Sequence, residues 1–323
     1  MLYIIVSEMN KISAYSLIKA GKITEALRFF EDTLRKGVDE ESECGIKIVK
    51  YILSKIKRIR EMGDPHKIGD MLIIEWKNLQ QWINTNNCSR FSDLVESMKY
   101  YIFLLALKYY QSIVDNINAN NSGNVIDIDL MVKVSKCYRE IGEVVRCIDI
   151  LEDVREYRPY DSGVLANLAD AYFEIGEIDT SKLLFRESFF WNPQEVEIFE
   201  MKSMIIKGLI KIVVSNGYRA EEINEWIPIY GVIENLFDVR RELSQEEVNL
   251  ILERVKTMER EYESNRRWRN ILEPRLINSY IWLIDYYSLQ IEDYALAKEV
   301  GKILQKFSPN IYNKLKLGVY KWL

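Results

Sequence analysis

Histidine occurs once in 323 residues, cysteine four times and proline six times. A single histidine, His66, rules out any His–His metal pair within the chain, H-E-x-x-H included. His66 follows Asp64-Pro65, which reads as a helix N-cap and first helical position, so it is expected in an exposed first turn and not as a catalytic base. Cys44, Cys88, Cys137 and Cys147 never reach a C-x-x-C spacing, which excludes a zinc knuckle or a dithiol redox motif. All four are expected as reduced, structural thiols, Cys137 and Cys147 on the apolar sides of helices. No apolar run approaches the roughly 18–20 residues of a membrane helix. Basic excess is missing as well: 44 Lys and Arg stand against 49 Asp and Glu, a formal charge of −5. A global grip on nucleic-acid phosphate is therefore not expected. G-x-x-x-x-G-K-[ST], G-x-G-x-x-G and G-x-S-x-G are also lacking, and with 49 carboxylates, paired acids carry no signal of their own. The expectation is a chain with no catalytic residue, cofactor or metal site.

What remains is helix. A hydrophobic share of 48% with 29% charged residues belongs to a folded protein, and glycine and proline are too sparse for frequent turns. Ile46, Val49, Ile52, Leu53, Ile56 and Ile59 form one apolar stripe ending at Gly63. Further helices are expected over residues 68–86 and 90–115, the second closed by the polar loop Asn118–Asn124, and from Pro193 to Ser215-Asn216-Gly217. Ser244-x-x-Glu247 has the form of a capping box opening a long helix through Tyr262.

An internal repeat is the strongest pattern. Glu140-Ile141-Gly142-Glu143 returns as Glu174-Ile175-Gly176-Glu177, 34 residues later. The same shift carries Val134 to Leu168, Ser135 to Ala169, Tyr138 to Tyr172, Cys147 to Ser181, Leu151 to Phe185 and Pro159 to Pro193. Small residues let two helices approach, glycine turns the chain between them and proline stops the second.

At these residues the sequence resembles the tetratricopeptide repeat family, whose unit is about 34 residues of helix–turn–helix. The resemblance is clear over residues 128–161 and 162–195. A weaker version covers about 7–40, through Leu17, Gly21, Ala26, Phe30 and Thr33. Another covers about 278–311, through Ile284, Ala297, Leu304 and Pro309; there Glu292 replaces the turn glycine, Ser288 the tyrosine, and Tyr287 stands one place early. The resemblance implies an all-α, right-handed solenoid of helical hairpins. Its organisation would be an N-terminal helical region over 1–125, two clear units within 126–198 and a C-terminal helical region over 199–323.

The family's groove positions fall on Asp129, Val132, Lys136 and Arg139, on Gly163, Ala166, Asp170 and Phe173, and on Ser279, Trp282, Tyr286 and Leu289. The resemblance thus implies a concave face using Lys136, Arg139, Asp170, Phe173, Trp282 and Tyr286 to hold a peptide or partner helix. Asn167 matches one position of the carboxylate clamp that binds chaperone tails, but Val132 and Lys136 depart from the others, so that clamp is not expected. Lys47, Lys50, Lys55, Lys57 and Arg58 read as an ordinary solvated face, and Arg266-Arg267-Trp268-Arg269 as arginines paired with the glutamates of the helix before them.

The apolar ends, Leu2–Val6 and Leu317–Leu323, must fold back, meet a partner or mark a cut in a longer chain; the second alternative makes Tyr320 and Trp322 candidate interface residues. With no secretory signal read at its start, the protein is expected in the cytoplasm if Met1 is its native first residue. The function expected is a protein-binding scaffold or adaptor, with no nucleic-acid or integral membrane partner. The resemblance extends this to bacterial assembly of secretion, pilus or flagellar-motor machinery. The alternatives are a structural subunit of an obligate oligomer and, more remotely, a helical enzyme.

Overall fold

A computed structural model describes residues 12–37, 39–120 and 127–323. The expectation for Leu2–Val6 and the start of the first degenerate unit lie outside these residues, as does most of the Asn118–Asn124 loop. The described residues form helices and no strands, so the chain is all-α.

Two units divide the chain, one up to Ile150 and one from Leu151 to Leu323. The first contains α1 (12–19), α2 (Ile23–Lys36), α3 (Glu40–Arg60), α4 (Pro65–Thr85), α5 (Ser92–Asn120) and α6 (Ile128–Glu140). Helix α7 (Val144–Tyr157) spans the division. The second contains α8 (Ser162–Glu174), α9 (Ile178–Trp191), α10 (Met204–Ser215), α11 (Glu221–Ile233), α12 (Gln245–Ser264), α13 (Arg269–Asp285), α14 (Tyr294–Phe307) and α15 (Pro309–Leu317). α6 joins the first unit because Lys133 pairs with Asp70, Lys99 with Glu140, and Gln111 Nε2 donates to the Tyr138 hydroxyl.

Local chemistry sets the helix starts. Asp39, Asp64, Asp127 and Asp161 accept backbone N–H groups of Ser42, His66, Leu130 and Val164, and Ser244 with Glu247 completes the capping box. Each such cap is worth about 1 kcal/mol.

The repeat is legible in the backbone. α2, α7, α9 and α14 are each 14 residues long, and each starts two residues after a position of positive φ: Gly21, Gly142, Gly176 and Glu292. In three of the turns an N–H reaches back five residues to a carbonyl: Lys22 to Leu17, Glu143 to Tyr138 and Glu177 to Tyr172. In the fourth, Asp293 reaches back six, to Tyr287. A π-helical turn over Tyr286–Gln290 absorbs the extra residue, which is why Tyr287 stands one place early in the sequence. Ala26, Cys147, Ser181 and Ala297 share one register of the second helices, and all are buried.

Two sequence expectations are corrected. Cys44 and Cys88 are bonded as a disulfide, their Cα atoms 5.9 Å apart. The first turn of α3 and the loop after α4 meet in space, which no local spacing reveals; only Cys137 and Cys147 are free, and both are buried. The helix expected from Pro193 to Ser215 is instead two short 3-10 turns, Pro193–Glu195 and Ile198–Glu200, followed by α10. The cause lies on α8, where the buried Asp170 carboxylate accepts the N–H groups of Lys202 and Ser203 at 2.7 Å each. Those bonds hold the segment non-helical until Ser203 caps α10.

Candidate functional site

The second unit holds a cavity of about 230 Å³. One wall is α9, which carries Arg186. Another is the extended segment between α11 and α12, which contributes Arg240, Arg241, Glu242 and Leu243. The third is the end of α13 and its π turn, with Trp282, Asp285, Tyr286, Leu289 and Gln290. Gln290 fixes the segment by accepting the Leu243 N–H and donating to the Leu243 carbonyl, both at 2.9 Å.

Asp285 is the electrostatic centre. One oxygen accepts the Arg186 guanidinium and lies 2.7 Å from Arg240 Nε; the other accepts the Tyr320 hydroxyl at 2.7 Å. Burial, reinforced by the Asp285 charge, pushes the Tyr320 phenol far above its ordinary range. Burial works against the charge of Arg240, but Asp285 outweighs it and holds the guanidinium above its usual value. Arg186 also lies over the Trp282 ring, 4.4 Å from its centroid, a desolvated cation–π contact.

Three buried donors here have no partner among the described residues: Arg186 Nε, Arg240 Nε and Trp282 Nε1. The Arg240 N–H is close to Asp285 but not aligned on it. Arg241, beside them, is occupied by Glu187 and by Glu247 at 2.5 and 3.0 Å. The Arg241 hydrogen bond holds the Glu247 carboxyl below its usual range.

A second polar junction lies in the first unit. Asp70 accepts Lys133 Nζ at 2.8 and 2.9 Å and the Tyr110 hydroxyl at 2.7 Å, with His66 Nδ1 3.3 Å away. Burial would raise the Asp70 carboxyl, but these bonds outweigh it and lower it. The junction ties α4, α5 and α6 together.

The expected groove residues divide. Trp282, Tyr286 and Leu289 do share a surface, since all three line the cavity, although Trp282 and Tyr286 are buried. Asp170 is fully buried and its carboxylate is spent on the Lys202 and Ser203 backbone. Gly163 lies against the Glu195 carbonyl, so the chain itself covers this face of α8. Arg139 is buried; Lys136 and Phe173 are half-buried. At the C-terminal end Tyr320 is buried under Asp285, and Trp322 packs edge-on to Tyr294, 5.0 Å between centroids. Leu323 fills the space left by Gly301, which stands in the register of Phe30, Leu151 and Phe185. Arg269, expected to pair with a glutamate, donates to the Tyr262 carbonyl and lies over the Tyr262 ring, because the helix has ended at Asn265.

Arg186, Arg240 and Asp285 escaped the sequence reading. Arg186 offered one clue: it precedes Phe189 and Phe190 by three and four residues, so a charge sits on an apolar helical stripe. No family model matches this chain, and no curated protein matches it. Among the described residues no helix is long and apolar enough to cross a membrane.

Proposed function

We propose that this protein is a non-catalytic interaction scaffold of tetratricopeptide-like helical hairpins, which holds a peptide or partner helix for assembly of a larger machine. The observation that supports it is the fourfold recurrence of a 14-residue helix that starts two residues after a positive-φ position, with one turn geometry shared by the first three. Repeats of this kind present a rigid surface at little ordering cost on binding. With Asp170 buried on α8, the exposed part of Phe173 is the groove position of that helix left to meet a partner. The disulfide favours an oxidising compartment over the cytoplasm.

A photo-crosslinker placed at Phe173 in the native host tests this reading. The expected result is one protein captured from Phe173 and not from exposed Tyr157. Capture of nothing, or of the same mixture from both positions, overturns it. A structural-subunit reading keeps some support from Leu317 and Phe199, 80% and 76% exposed. Light scattering across a concentration series decides between them, a concentration-independent monomer of about 38 kDa favouring the scaffold.

A further inference from the structure

Helix α10 carries apolar residues on every side, yet the fold covers only one side. Ile206, Leu209 and Val213 are buried, and α10 packs chiefly against α11. Met204, Lys207, Lys211 and Val214 follow one another at helical spacing on the opposite face, and all four are exposed, Met204 by 65%. Gly208 lies among them, and a Cβ added there would meet nothing within 4 Å, so this face is open. Ile205, Ile210 and Ile212 flank it half-buried. A surface helix of a soluble protein ordinarily turns polar residues outward at such positions.

Charge is distributed as unusually. Residues 201–220 and 300–323 contain lysine and arginine but no Asp or Glu, in a chain that is acidic overall. Lys207 and Lys211 have no ion-pair partner among the described residues. The two stretches meet in the second unit, where Lys314 Nζ donates to Asn216 Oδ1 at 3.3 Å. That bond brings the end of α15, with Lys316 and the 80% exposed Leu317, beside the end of α10.

We infer that the open face of α10, with the end of α15, docks on an anionic lipid bilayer surface. Twelve residues are too few to span a bilayer. The helix therefore lies in the headgroup layer, with Met204 and Val214 toward the acyl chains and the lysine stems reaching back to the phosphates. The lysines separate this occupant from a protein partner. Lysine is depleted from the cores of protein–protein interfaces, and here Lys207 and Lys211 stand between Met204 and Val214 in the middle of the face. Next to anionic headgroups the same two charges are favourable. The inference does not rest on the scaffold reading, which is tested at Phe173 on another helix.

Co-sedimentation of the full chain with lipid vesicles provides the test. Vesicles of phosphatidylcholine with phosphatidylglycerol are expected to bind the protein, and vesicles of phosphatidylcholine alone are not. Lys207→Gln with Lys211→Gln is expected to weaken binding about thirtyfold, since each lysine at such a surface is worth about 1 kcal/mol, or about fivefold. Lys256→Gln with Lys298→Gln, at exposed positions of α12 and α14, is expected to change it by less than about twofold. Met204→Ser with Val214→Ser is expected to cost about tenfold. Every one of these side chains is exposed, so the variants keep the fold. The inference is overturned if neither kind of vesicle binds, if phosphatidylcholine alone binds equally, or if the two lysine pairs have equal effects. It is overturned too if poly-L-glutamate binds as tightly as the anionic vesicles, the partner then being an acidic chain. An oligomer that Met204→Ser with Val214→Ser turns into a monomer also overturns it, because the face would then join copies of this chain.

Discussion

The two units hold themselves together by different means. In the first, a disulfide joins α3 to the loop after α4; its Asp70 junction is only partly buried, and its one buried carboxylate among these pairs, Glu75, accepts the Tyr51 hydroxyl and meets a single half-exposed lysine, Lys55, at 3.6 Å. The second contains no cysteine at all. It relies on ion pairs with buried carboxylates: Asp285 with Arg186 and Arg240, and Glu225 with Arg275 at 2.7 Å. A cross-link acts on the unfolded chain by restricting it, so it leaves the native packing free to be ordinary. A buried ion pair acts in the native state, where each charge depends on its partner remaining in place. The first unit should therefore answer to redox conditions and the second to single charge deletions.

Hydrogen exchange read separately over residues 12–150 and 151–323 can break this contrast. The largest effect is expected from Asp285→Ala, which strands two guanidinium groups and the Tyr320 hydroxyl. The second unit should lose about 3–5 kcal/mol of protection while the first keeps its own. Equal loss in both would show that the units do not respond separately. Next comes Cys88→Ser or reduction. Closing a loop with a sequence separation of 44 residues is worth about 4 kcal/mol in the chain-entropy account, and only the first unit should weaken. An unchanged exchange pattern in reductant would remove the disulfide from the comparison.

Smaller effects sharpen it. Gly142→Ala and Gly176→Ala place a side chain at φ +88° and should each cost about 1–2 kcal/mol. Gly208→Ala, in α10 with open space around it, should gain up to about 1 kcal/mol. Denaturant titrations that failed to separate these signs would remove the turn argument for the repeat. Burial holds the phenols of Tyr110 in the first unit and of Tyr280 and Tyr320 in the second far above their ordinary range. Folding then favours the protonated form, so this stability is complete below the unfolded value of about 10 and is lost as pH rises beyond it. Both units should loosen together in alkali, with the share of phenolate absorbance due to these buried tyrosines appearing only as exchange protection falls. The smallest change is Ser181→Ala. The hydroxyl is buried without a partner, and alanine already stands at the same register in α2 and α14, so removal should stabilise the second unit by about 1 kcal/mol.

Periodicity and capping chemistry are local, and they made the helices readable. The 34-residue shift, the Asp64-Pro65 start, the Ser244 capping box and the stop at Gly63 all lie within a few residues of what they control. The Pro193–Ser215 segment departs from its local pattern because its conformation is set by Asp170, some thirty residues earlier in the chain. The candidate site was half legible for the same reason. Trp282, Tyr286 and Leu289 are groove positions that the resemblance implies, all within one short stretch of chain. Arg186, Arg240, Asp285 and Tyr320 come from four separate segments, and no window of sequence contains them together.

The sequence by itself determined an all-α chain and the turns and starts of its helices, because hydrogen bonding within helices, turn glycines and caps act over a handful of residues. Only the tertiary structure decided that Cys44 meets Cys88, that the chain covers the α8 face carrying Asp170, and that two arginines share one buried carboxylate beside a cavity. Those outcomes depend on which distant groups are brought out of water together, and burial is what makes an unpaired donor or charge matter.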